Sequence, residues 1–71
     1  MSNLSEFNEL LDGLAIESKK KATKLMMNYQ LDEESFIETF QVVEYNIKKD
    51  LKSNDISKVS VIEGMEKYLK Q

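Results

Sequence analysis

The sequence predicts an all-α domain: an antiparallel helical hairpin plus a third helix, packed as a three-helix bundle and able to pair as a homodimer. Three observations predict it. Apolar residues recur at steps of three and four in three separate stretches. A residue suited to capping stands at the head of each stretch. No stretch alternates apolar and polar residues with the period of two that a strand needs, and no Asn-Gly or Asp-Gly turn joins β-branched runs.

The organising stretch runs from Asp32 to Lys52, with Leu31 ahead of it. Phe36, Phe40, Val43, Ile47 and Leu51 fall on one helical face, and Ile37 widens it. Two of the three Phe residues lie there, which makes this face the largest apolar payload in the chain. Asp32 is the N-cap, and Leu31 stands where a hydrophobic staple to Phe36 requires it.

Ahead of it, Leu4, Phe7, Leu11, Leu14, Ser18, Ala22, Leu25 and Tyr29 step along at close to 3.6 residues. The stripe predicts one helix of about 26 residues, long for a globular domain, with Asn3 as N-cap and Glu6 completing a capping box. Gly13 costs roughly 1 kcal/mol relative to Ala inside a helix, so a break there is the alternative. The short link from Asn28 to Asp32 makes these two helices a hairpin, with Lys20 and Lys24 near Glu33, Glu34 and Glu38.

A polar break, Ser53 to Asp55, precedes a third helix from Ser57 to Lys70. Ser57 is its N-cap, with Ile56 and Val61 in the staple positions. Val59, Ile62, Met65 and Leu69 line one side, extended by Val61 and Tyr68, and Gly64 interrupts it.

In the first two helices acids come early and lysines late, as the helix dipole favours. Thirteen acids against ten bases leave a net charge of −3, and every base is Lys. No Cys and no His are present, which removes disulfides, the usual zinc sites, the commonest general base and the best nucleophile. The composition is that of one folded domain over residues 1–71. No run is apolar enough for a signal core or a membrane span, so a cytoplasmic protein is expected. Heavy use of Lys, Asn and Ile without Arg or Pro suggests a low-GC bacterium or its phage.

Each candidate site has a plainer explanation. Glu44 flanks the apolar face of the second helix as a boundary residue rather than a catalytic acid. Asp32, Glu33 and Glu34 lack the alternating ligands and turn glycine of a calcium loop, and capping accounts for them. Lys19, Lys20, Lys21 and Lys24 form a solvated basic face with no interleaved aromatic for base stacking. The informative residues lie off the main stripes. Ile16 and Met27 on the first helix, and Val42 and Tyr45 on the second, form spare apolar faces of the kind that meet a partner, the alternative being a third helix packed partly onto them.

The expected function is therefore a small, acidic, non-enzymatic protein–protein interaction module: a regulator, inhibitor or assembly adaptor binding itself or another protein through Ile16, Met27, Val42 and Tyr45. No cofactor, metal, small-molecule substrate, membrane or specific nucleic acid is expected. The alternative is a small DNA-binding regulator reading through the third helix, where Ser57, Lys58 and Ser60 are the donors on offer. Acidity and the lack of Arg count against it. In a mobility-shift titration at physiological salt we expect no defined operator bound at nanomolar affinity. Weak retention that disappears as salt is added is compatible with the lysines alone.

Overall fold

The computed structural model describes residues 3–71, with side chains from residue 5 onward. The described residues are all-helical. Their order is α1 (Asn3–Asp12), α2 (Ile16–Asn28), α3 (Glu33–Leu51) and α4 (Lys58–Lys70). No helix among them is long and apolar enough to cross a membrane. The cap expected at Asn3 lies outside the described side chains.

The long first helix is two helices. Gly13 to Ala15 leave helical geometry, and Ala15 opens α2 in an extended conformation at φ −68°, ψ 162° without a side-chain cap. The reason is spatial. A helix of about 26 residues would be about 39 Å long, whereas the molecule's longest extent is 29 Å. Its far end would have had nothing to bury against. The periodicity does not reveal the break because Leu14 turns into the core within the non-helical triplet and keeps the buried positions in step. Phe7, Leu14, Ser18, Ala22 and Leu25 are all buried, as the stripe requires.

The break redirects the chain. α1 packs on α3, and α2 packs on α4 rather than side by side with α3. The expected ion pairs across a hairpin change accordingly. Lys20 pairs with Glu17 on its own helix, while Lys21 Nζ lies 3.3 Å from Glu66 Oε1 on α4. Ser18 and Ala22 explain why α2 sits well there: both are small, and both are buried. Ser18 shares a groove with Val59 and Ile62, and Lys21 reaches Glu66, so the contacts advance together and the two helices run the same way.

α3 is the spine. Asp32 caps it, its carboxylate accepting the Ser35 backbone N–H at 2.8 Å. That hydrogen bond holds the Asp32 carboxyl below its ordinary value. A depressed carboxylate stabilises the fold above its unfolded-state value, and this contribution is lost as pH falls through the lower folded-state value. Phe36, Ile37, Phe40 and Val43 are buried. Phe36 meets Phe7 of α1 edge to face, with centroids 5.6 Å apart and planes at 88°, the arrangement ring quadrupoles favour.

Some apolar residues that the stripes place inside are not there. Leu51 is 64% exposed on the last turn of α3, where Ile47 is already only half-buried. On α4, Val61 takes the inward place with Ile62 and Met65, and Val59 and Tyr68 face out. The Ser57 cap forms as expected, its hydroxyl accepting the Ser60 N–H at 3.2 Å. Leu31 and Ile56, the two staple residues, are half-buried against the core.

The ends of α2 and α3 use a device that composition conceals. Gln30 and Lys52 both adopt left-handed backbone, each at φ 54°. At Lys52 the Schellman pattern is complete: Ser53 N–H bonds Lys48 C=O at 3.1 Å and Lys52 N–H bonds Lys49 C=O at 3.3 Å. At Gln30 the corresponding long bond runs from Leu31 N–H to Met26 C=O at 2.9 Å. Glycine is the usual occupant of such positions, since a Cβ costs about 1–2 kcal/mol there. The chain instead places a glycine in the middle of α4. A Cβ on Gly64 would come 2.9 Å from Val43 Cγ1 and 3.1 Å from Ile47 Cδ1 on α3. Gly64 therefore sets how closely α3 and α4 approach.

The three positions should respond differently to substitution. Gly64→Ala gains about 1 kcal/mol of helix propensity but drives a methyl into stiff, buried Val43, at about 1–3 kcal/mol. We expect a net loss, read as a fall in melting temperature of several degrees. Gly13→Ala should be near neutral, because the only close neighbour of its new methyl outside the local backbone is the mobile end of Lys58. Lys52→Gly should stabilise by about 0.5–1 kcal/mol, the relief of left-handed strain less the entropy glycine adds to the unfolded chain. Thermal unfolding of the three variants checks the order.

Candidate functional site

The four residues expected to meet a partner are all exposed: Ile16 71%, Met27 73%, Val42 44% and Tyr45 66%. Their placement follows from the helices that carry them. On α2 the buried positions are Ser18, Ala22 and Leu25, and Ile16 and Met27 lie on the opposite side, eleven residues and about 16 Å apart. On α3, Tyr45 lies diametrically opposite the Phe36–Phe40–Val43 face, with Val42 to one side.

The structure does not gather them into one patch. Two belong to α2 and two to α3, and these helices follow one another through a tight turn without packing along their lengths. Leu51, Val59 and Tyr68 join the exposed apolar residues. The apolar stripes assign these three to the core. What reveals them is the position of each helix end relative to its neighbours, which periodicity does not carry.

Charge divides the surface. Lys20 and Lys24 lie on the exposed face of α2 between Ile16 and Met27. Between α1 and α3 runs a shallow groove with Leu10, Ile37 and Phe40 on its floor and Glu6, Glu38, Gln41 and Glu44 on its walls. Among the described residues, no lysine lines it. Glu44 is half-buried beside the apolar face of α3, and it pairs with Lys48 on the same helix, 3.7 Å away. Glu66 stands between two cations, Lys21 and Lys70, and its carboxyl is held low first by the hydrogen bond from Lys21 and then by both charges.

The N-terminal end of α4, where a DNA-reading helix would present its donors, is committed elsewhere. The Ser57 and Ser60 hydroxyls lie 3.0 Å apart and bond one another, and Ser57 also accepts the Ser60 N–H. Lys58 reaches back to Gly13 at the end of α1. Among the described residues, no group of three or more Asp or Glu is placed to hold a metal ion.

No family model, no curated protein and no solved structure matches this chain.

Proposed function

We propose that this chain is a small, non-enzymatic, cytoplasmic protein–protein interaction module. It acts by pairing with a second copy of itself, with another protein, or with each in turn, in the manner of a bacterial or phage regulator, inhibitor or assembly adaptor. The observation that carries this reading is the exposure of Ile16, Met27, Val42 and Tyr45 on the sides of α2 and α3 turned away from a core that is already complete. Large apolar side chains with nothing to gain from the internal core are those from which a partner excludes water. The charge pattern supports the same reading, since it sets basic and acidic surfaces on different parts of one small molecule.

The alternative, DNA recognition through α4, is disfavoured by the use of Ser57 and Ser60 in the helix cap. A reading helix needs its N-terminal donors free for base edges.

A homodimer is the simplest form of the module, because two-fold pairing brings each exposed residue to a self-complementary surface. Sedimentation equilibrium at micromolar concentration should then show a species heavier than the 8.3 kDa chain. The melting temperature should rise with protein concentration by mass action. Ile16→Glu or Met27→Glu should shift the equilibrium toward the single chain while the helical circular dichroism is kept. A single-chain species at every concentration, with melting indifferent to dilution, would remove the homodimer from this reading.

A further inference from the structure

Two exposed stripes match in spacing and oppose in charge. On α2, Ile16, Lys20, Thr23 and Met27 follow one another at steps of four, three and four, and all are exposed. On α3, Glu34, Glu38, Gln41 and Tyr45 repeat those steps and are also exposed. This is the spacing at which one helix lays a face along another. Each stripe is about 16 Å long. The first is basic with apolar ends, and Lys24 reinforces it. The second is acidic with an aromatic end, and it borders the apolar-floored, acidic-walled groove between α1 and α3.

Within one molecule the stripes cannot meet, because α2 packs on α4 and its outer face points away from that contact. We propose that the exposed face of α2 docks on the acidic stripe of α3 in a second copy of this chain. The contact is made twice about a two-fold axis. Lys20 and Lys24 face Glu38 and its acidic neighbours, while Ile16, Met27 and Tyr45 exclude water at the ends. The inference rests on the interaction-module reading and adds to it which faces meet and why they prefer each other to themselves. Two copies of the α2 face repel, as do two copies of the α3 face, whereas the crossed pairing satisfies both.

Charge reversal tests it. The double variant Lys20→Glu/Lys24→Glu should self-associate at least about tenfold more weakly than the parent, and so should Glu38→Lys/Gln41→Lys. All four positions are exposed and none caps a helix, so circular dichroism should be unchanged. Mixing the two variants in equal amounts should restore a complex of two chains at close to the parental affinity, since both crossed contacts regain opposite charges. The parent should also associate more weakly as salt rises.

A variant that pairs as well as the parent, or a mixture that stays monomeric, would overturn the assignment of faces. The interaction-module reading would then stand on a different surface. A parent that is monomeric throughout and binds a duplex DNA probe through Lys20 and Lys24 would overturn the proposal in favour of nucleic acid.

Discussion

The rest of the structure depends on a single helical face. Phe36, Phe40 and Val43 give α3 enough apolar surface to hold α1 on one side and α4 on the other. α2, by contrast, offers its neighbour only Ser18, Ala22 and Leu25 as buried residues. At 19 residues α3 is also the longest helix, about 28 Å by helical rise, close to the 29 Å extent of the molecule. The spine sets the size of the core, and the other helices fit within it. The break after Gly13 follows from this limit, and so does the exposure of Leu51, which lies where the core has run out.

Close approach is managed with small residues. Gly64 lets α4 settle against Val43 and Ile47. Ser18 and Ala22 do the same for α2 on the other side of α4. α4 is thus gripped from two directions through positions that carry almost no side chain, and packing this tight leaves little tolerance for added methyl groups. The ion pair between Lys21 and Glu66 then fixes how α2 lies along α4. Its energy is modest because both side chains remain partly exposed. Its value is in selecting one arrangement.

Much of this is legible in the sequence. Asp32 and Ser57 cap the helices whose heads they occupy, and Phe7, Leu14, Ser18, Ala22 and Leu25 are buried as their spacing requires. The spare apolar residues Ile16, Met27, Val42 and Tyr45 are exposed. What the sequence hides has a physical cause in each case. A non-helical triplet of residues keeps the stripe in phase, so four helices rather than three appear among the described residues. Gln30 and Lys52 end their helices in left-handed conformations that composition assigns to glycine. The pairing of α2 with α4 depends on the angle at which the chain leaves Ala15, and no local pattern encodes that angle.

With α3 as the shared spine, α2 is the most independent element of the fold. Residue-resolved hydrogen exchange of the native protein tests this directly. Amides of α3 from about Ile37 to Ile47 should exchange only through global unfolding, with the facing turns of α1 and α4 close behind. Those of α2 should open locally at lower free energy, because its contact with α4 is less extensive than that of α1 with α3 and it buries only Ser18, Ala22 and Leu25. An α2 as protected as α3, or an α3 that exchanged first, would contradict the role of α3 as the spine.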